Sequence, residues 1–210
     1  LGSDGTLQRV HGGAHVSDDA DALLPFHAAV SVDTLDKQAV GRRAAELVAD
    51  REVLLLDIGT TAMALAAHLR GRSLTVITSS LAVVDVLRDD PGVELILLGG
   101  ILRRAYHSMV GVLTQDALSQ VHADRAFLGA SGIRRDGRVL DSTRVEVPVK
   151  RAMMAAAEQV VLLADRHKFP GTGALRICDV SEIDVIVTNE GADAATVLAC
   201  RERGAEVLLA

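Results

Sequence analysis

Tryptophan is absent from the chain, and its aromatic residues are one tyrosine and three phenylalanines. That scarcity excludes a single-strand nucleic-acid platform built from stacked aromatics. Basic residues are the minority: 22 Lys and Arg against 28 Asp and Glu leave a net charge of −6. Binding to a phosphate backbone is mostly electrostatic, so a chain with no basic excess and no basic cluster is a poor nucleic-acid binder by itself. The two cysteines, Cys178 and Cys200, form no CxxC pair and no disulfide framework. They read as structural thiols in a cytoplasmic protein. No apolar run reaches the ~18 residues of a membrane span, so no membrane partner is expected. The polar start, LGSDGTLQRVHGGA, is not a signal peptide. It also lacks an initiator Met, which fits a fragment or a processed product. The seven histidines lack HExxH or comparable spacing, so no metal is expected. GxxxxGK[ST] and GxGxxG are missing too, and no cofactor is expected.

What is abundant is aliphatic: 49% of the chain is hydrophobic, ample for a core and too much for disorder. Residues 1–33 show no clean periodicity. Gly2, Gly5, Gly12 and Gly13 suggest a flexible lead-in, followed by an acidic stretch from His15 to Ala22. From Thr34 the pattern changes. Asp33 or Thr34 is placed to cap a helix running to about Ala49, with Val40, Ala44, Leu47 and Val48 on one face. Seven short apolar runs then alternate with helix-like segments: VLLLD, LTVIT, VELILL, RAFLG, VVLLAD, IDVIVTN and EVLL. Continuous apolar strands between helices imply parallel βαβ units. The expected fold is α/β, a mostly parallel sheet covered by helices on both faces. Ile101–Gly111 and Arg134–Leu140 break the alternation, the second around an Arg135-Asp136-Gly137 hairpin turn. A small lid excursion is expected there.

The strand ends carry the chemistry. Asp57-Ile58-Gly59-Thr60-Thr61 ends the first run, Thr78-Ser79-Ser80 the second and Gly99-Gly100 the third. Gly129-Ala130-Ser131-Gly132, Asp165 with Lys168, and Thr188-Asn189 end the next three. In an open parallel sheet these ends share one edge, where ligands bind at the topological switch point. Singly, Thr61 and Ser80 read as helix caps and Gly59 as a turn residue. Glu146, Lys150 and Lys168 read equally as solvated surface groups. Together, six polar strand ends point to an anion or polyol site. The amides at the start of the helix after Gly59 have no intrahelical partner and can donate to an anion. Asp57 would repel that anion, so it is expected to bind sugar hydroxyls or brace the turn.

RVHGGA, LLLDIGTT, LTVITSSL, ELILLGGILR, DRAFLGASGI, VKRAMM and LLADRHKF occur in an order that resembles the DeoR family of bacterial transcriptional regulators. The resemblance runs over nearly the whole chain and is to the C-terminal effector-sensing domain. It implies a fold similar to ribose-5-phosphate isomerase and CoA transferases. It implies a linker over 1–33 and a sensor over 34–210, with a winged helix-turn-helix domain missing before residue 1. The implied ligand is a phosphorylated sugar or polyol, and the implied role is repression of sugar metabolism genes. Operator DNA would be met only through the missing domain, and palindromic operators imply a homo-oligomer, a dimer or tetramer. By the same resemblance, Gly59, Thr60 and Thr61 with Thr78, Ser79 and Ser80 would hold the phosphate. Asp57, Gly100, His107, Ser108, Gly132, Glu146, Lys150, Asp165 and Lys168 would complete the pocket. Two positions depart from the family pattern: Ser79 stands where Asn is usual, and Asn189 follows Thr188 where Asp is usual. The alternative is a sugar-phosphate isomerase or CoA-transferase-like enzyme. Against it, Gly129–Gly132 lacks the carboxylate that the isomerases use for enolisation, so no catalytic residue is expected.

These readings predict that the 210 residues alone give no sequence-specific shift of operator DNA in a gel at low salt.

Overall fold

All seven apolar runs enter one sheet. The computed structural model describes residues 7–10, 13–16 and 25–210. In chain order its elements begin with strands β1 (Leu7–Val10) and β2 (Gly13–Val16), followed by helices α1 (Phe26–Val30) and α2 (Thr34–Ala45). Then come β3 (Val53–Leu56), α3 (Thr60–Leu69), β4 (Leu74–Thr78), α4 (Leu81–Leu87) and β5 (Val93–Leu97). A hairpin of β6 (Ile101–Arg103) and β7 (Ser108–Val110) leads into α5 (Val112–Leu118) and β8 (Ala123–Gly129). The chain continues through β9 (Gly132–Ile133), β10 (Arg138–Asp141), α6 (Glu146–Ala155), β11 (Ala157–Leu163) and β12 (Leu175–Asp179). It closes with β13 (Val185–Thr188), α7 (Ala194–Glu202) and β14 (Glu206–Leu209).

The main sheet has seven strands in the order β14-β13-β11-β8-β3-β4-β5, and every neighbouring pair is parallel. Side chains alternate across a strand, so β3 feeds two cores. Leu54 and Leu56 pack with Val40 and Ala44 of α2, Leu65 and Leu69 of α3 and Val83 of α4. Leu55 faces the other way, into the core of Leu118, Met153, Val197 and the small strands around Ile133 and Ile177. The strands are apolar throughout because both faces are covered. Strand order reverses between β3 and β8, so the switch point lies at the ends of those two strands, beside Asp57 and Gly129.

The two breaks in the alternation are both β structure. Ile101–Val110 is the β6–β7 hairpin. The Arg135-Asp136-Gly137 turn joins β9 to β10, with Gly137 at φ 87°. β12 adds to β10 and makes a three-stranded antiparallel sheet. Sequence periodicity missed β12, because LRICD alternates too briefly.

Secondary structure is present before residue 34. Residues 1–6, 11–12 and 17–24 lie outside the described residues, with Gly2, Gly5, Gly12 and most of the acidic stretch among them. Yet β1 and β2 pair as an antiparallel hairpin, and α1 buries Phe26 against the sensor body. The helix expected over 34–49 stops at Ala45, and its cap differs as well. Asp33 sits at the N-cap in a left-handed conformation with no side-chain capping bond, and Thr34 Oγ1 donates to the Val30 carbonyl at 2.9 Å. The Asp33 carboxylate faces His167 instead.

α2 and α3 approach closely at Gly41, where an added Cβ would lie 2.7 Å from the Leu65 backbone nitrogen. Helix propensity favours Ala over Gly by ~1 kcal/mol, but backbone atoms cannot yield as a side-chain tip does, and overpacking costs ~1–3 kcal/mol. Gly41→Ala is therefore expected to lower stability by ~1 kcal/mol or more in urea unfolding, and a stabilised variant would contradict the close approach.

Candidate functional site

β3 and β8 end side by side, and their ends are tied by a buried charge. Asp57 is fully buried. Its Oδ2 accepts the Gly129 amide at 2.9 Å and the Lys150 ammonium of α6. Lys150 also donates to the Gly129 carbonyl at 2.9 Å and lies 3.5 Å from the Asp141 carboxylate at the end of β10. Burial by itself disfavours the Lys150 charge, but Asp57, Asp141 and Glu146 outweigh it and raise its pKa above the ordinary lysine value. Asp57 thus braces the turn, one of the two roles expected of it.

One turn earlier on α6, Glu146 anchors a second buried group. Its Oε1 accepts Arg103 Nη1 at 2.6 Å and Ser108 Oγ at 3.0 Å, so both strands of the β6–β7 hairpin are fastened to α6. The Arg103 guanidinium lies over the Tyr106 ring, 4.3 Å from its centre. Burial raises the Glu146 pKa, with Lys150 and Arg103 pulling it back and Asp57 adding to the rise. Glu146 Oε2, Arg103 Nη2 and Asp57 Oδ1 are buried with no hydrogen-bond partner.

In front of these groups lies a cleft of about 400 Å³, lined by Phe26, Ala29, Val32, Asp33, Lys37, Ile58, Gly59, Thr60, Tyr106, Ser131, Asp141, Thr143, Glu146, Asp165 and Lys168. A smaller lobe of about 200 Å³ shares Lys37, Gly59, Thr60, Asp165 and Lys168 and adds Thr61, Gly129 and Lys150. The larger volume is in the range of small-molecule sites. Gly59, at φ 109°, precedes α3, and the glycine permits a turn that an L side chain rarely adopts. Gly59, Thr60, Thr61 and Ala62 line the lobe, and the first amides of a helix have no intrahelical partners. Lys37 reaches the lobe from α2, its Nζ donating to the carbonyls of Ala29 at 2.9 Å and Val32 at 2.6 Å. Burial lowers its pKa; the nearby Lys168 charge lowers it further, while Asp165 and Asp33 oppose the shift. Lys37, Lys168, the paired Lys150 and the positive end of a helix therefore meet on one small volume, with Asp165 beside them.

Of the residues anticipated from sequence, Gly59, Thr60, Thr61, Glu146, Lys150, Asp165 and Lys168 line this cleft. The others sit behind or beside it. Thr78 Oγ1 donates to the Leu56 carbonyl at 2.7 Å and accepts the Ser80 amide. The Ser79 carbonyl accepts the Met109 amide, and Ser80 caps α4 through the Val83 amide. The Thr78–Ser80 turn thus holds α4 and the hairpin rather than lining the cleft. Gly100 packs against Thr114 and Val110, and Gly132 against Gly171, each too closely for a Cβ. Ser108 supports Glu146 from behind, and exposed His107 stacks on Phe26 at 5.4 Å. Phe26 and Lys37 escaped the sequence reading because one falls in the expected linker and the other on a helix whose exposed face gave no reason to single it out. Arg103 and Asp141 had a weak signal, as charged residues closing short apolar strands.

Asp33, Asp36 and His167 are the one group of potential metal ligands among the described residues. Arg166 lies 3.1 Å from Asp36, so that carboxylate already has an ion-pair partner, and His167 lies 3.5 Å from Asp36 and 3.6 Å from Asp33. Burial pushes the Cys178 thiol up to about 12 and the Cys200 thiol up to about 11, which keeps both protonated. Among the described residues no helix is long and apolar enough to cross a membrane.

Residues 33–190 match the family model described as the DeoR C terminal sensor domain. The chain is 33% identical over 189 residues to the HTH-type transcriptional repressor GlcR of Bacillus subtilis, covering 90% of this chain and 73% of that protein. It is 32% identical over 190 residues to the glycerol-3-phosphate regulon repressor of Escherichia coli, covering 90% and 75%. These relatives are transcriptional regulators, not enzymes. Among solved structures it is similar to eIF2B beta from Chaetomium thermophilum, with a TM-score of 0.56, 15% identity and coverage of 81% of this chain and 54% of that one. That likeness is one of fold alone.

Removing Lys150 strands the Asp57 carboxylate in the interior, and breaking a buried pair from one side costs ~3–5 kcal/mol. Lys150→Met is expected to lose about that much in denaturant unfolding, and Asp57→Asn with Lys150→Met to regain much of it. Equal losses in the single and double variants would contradict the pairing.

Proposed function

The chain belongs to the DeoR family of transcriptional regulators, whose C-terminal sensor domain it carries, and on that premise we propose that its cleft binds a phosphorylated sugar or polyol that acts as inducer. The observation that carries this reading is the meeting of Lys37, Lys168 and the α3 amino terminus on one lobe of the cleft. Like charges held together at partial burial are unfavourable; Asp165 offsets them in part, and a bound anion offsets them further. A dianionic phosphate satisfies both ammonium groups and the unpaired amides, and the helix dipole adds roughly 0.3–1 kcal/mol. The larger lobe supports the sugar end. Glu146, Asp141, Ser131 and Thr143 offer oxygens to hydroxyl groups, and Phe26, Val32 and Ile58 cover the carbon skeleton.

The name of the E. coli relative refers to the glycerol-3-phosphate regulon, which agrees in chemical class with such a ligand. In this reading the protein is a cytoplasmic repressor of sugar metabolism genes. Operator contact falls to a DNA-binding part of the kind that the HTH-type relative's name denotes, and the sensor answers the effector. α1 supplies Phe26, Ala29 and the residues just beyond it to the cleft wall. An effector therefore touches the segment through which the sensor joins whatever lies before it, and a ligand shifts such a segment only by binding its two positions unequally.

A thermal-shift screen of phosphorylated sugars, each paired with its unphosphorylated form, selects the ligand for calorimetry. Thr60→Val and Lys168→Met are each expected to weaken the phosphorylated ligand at least ~tenfold, the worth of one charge-assisted hydrogen bond. Equal affinity for the sugar with and without its phosphate, or wild-type affinity in both variants, would refute the assignment.

A further inference from the structure

Only three of the chain's 22 basic residues are lysine; the other nineteen are arginine. Lys37 comes from α2, Lys150 from α6 and Lys168 from the turn after β11. All three line the same lobe of about 200 Å³. Every side-chain amine of the protein is therefore gathered at one place, and the rest of its cationic surface is guanidinium. The distinction is chemical. A guanidinium stays protonated, whereas an amine can give up its proton and act as a nucleophile.

The three amines are not equivalent. Lys150 is committed as an ammonium: it is buried, bonded to the Asp57 carboxylate and the Gly129 carbonyl, and has Asp141 at 3.5 Å. Lys37 is held differently. Its Nζ donates to two neutral acceptors, the carbonyls of Ala29 at 2.9 Å and Val32 at 2.6 Å, and both of those residues line the larger cleft. Lys37 itself lines both lobes, with Lys168 beside it. Burial and the Lys168 charge lower its pKa against the pull of Asp165 and Asp33. Desolvation and a neighbouring cation are the two conditions that make a lysine nucleophilic.

We propose that Lys37 is an acylation site whose donor is an acyl phosphate seated in the smaller lobe. The site rests on the phosphate reading of that lobe. With the phosphate against Lys168 and the first residues of α3, the acyl carbon, one bridging oxygen from phosphorus, is presented to Lys37, and the larger lobe takes the acyl chain. The Nζ lone pair attacks the carbonyl carbon, the N–C bond forms and the C–O bond to phosphate breaks. Of the three ammonium protons, one goes to water before the attack, one leaves with the phosphate as hydrogen phosphate and one stays on the new amide. Seating the donor makes the transfer effectively intramolecular, an advantage that no surface amine shares. The product is a neutral amide where a cation stood. An acylated copy has thus lost one of the groups that hold the effector's phosphate, and the effector response is tied to the supply of acyl phosphate.

The test incubates the 210-residue chain with acetyl phosphate and follows each lysine by mass spectrometry of a digest. Lys37 is expected to acetylate at least ~tenfold faster than Lys150 or Lys168. Saturating inorganic phosphate is expected to slow that reaction in the unmodified chain. Thr60→Val, checked for its fold by circular dichroism, is expected to slow acetyl phosphate at least ~tenfold more than acetic anhydride, a donor with no phosphate to seat. Even acetylation of the three lysines, or faster reaction at Lys168, overturns the site. If inorganic phosphate still binds in calorimetry in that case, the phosphate reading of the lobe stands without it. Selective acetylation of Lys37 that inorganic phosphate does not slow overturns the seated donor and the phosphate reading together. Equal slowing of the two donors by Thr60→Val also overturns the seated donor.

Discussion

The ion pair between Asp57 and Lys150 is the constraint on which the rest of this site depends. It lies where the strand order of the sheet reverses, the place where an open parallel sheet leaves a crevice. A fully buried carboxylate there is tolerable only because an ammonium and a backbone amide meet it. The pair joins three elements that are distant in sequence: Asp57 closes β3, Gly129 closes β8 and Lys150 comes from α6. Once Lys150 is so held, α6 has a fixed rotation, and Glu146 one turn before it is brought to the back of the cleft.

Glu146 then passes that order outward. Its bonds to Arg103 and Ser108 draw the hairpin down, while the Thr78–Ser80 turn holds the hairpin from the sheet side. The buried groups therefore divide the work. Asp57 and Lys150 are matched to each other, Thr78 to the Leu56 carbonyl and the Ser80 amide, and all three stiffen the wall. Lys37 and Lys168 gather positive charge on the open side, and Asp165 offsets part of it. A rigid polar wall behind a cationic lobe is suited to holding a ligand in one orientation, because the wall pays no reorganisation when the ligand arrives.

The hairpin has an inner and an outer surface with opposite chemistry. Arg103, Ser108 and Tyr106 turn inward to Glu146 and the cleft, while Ile101 and Leu102 turn out to solvent. The two-residue alternation sets Leu102 opposite Arg103, whereas Ile101 shares the face of Arg103 and is exposed at the outer end of the hairpin. The excursion therefore serves the cleft and the outer apolar surface at once, without lengthening the chain.

Much of this was legible in the residues alone. Seven aliphatic runs between helical segments specify a covered parallel sheet, because only a strand buried on both faces can be apolar throughout. Glycine and hydroxyl residues at the strand ends marked the edge of the sheet that carries the cleft, and Gly59-Thr60-Thr61, Asp165 and Lys168 do line it. Local pattern could not say which polar strand ends face the cleft. Thr78, Ser79 and Ser80 look like Thr60 and Thr61 in sequence, yet their bonds go to Leu56, Met109 and Val83. Nor could it find Phe26 and Lys37, which reach the cleft only because α1 and α2 pack beside α3. Strand and helix identity are short-range properties of side-chain spacing. The partner of a buried charge, and the direction in which a hydroxyl points, are decided by what the whole chain brings within a few ångströms, and only tertiary packing sets that.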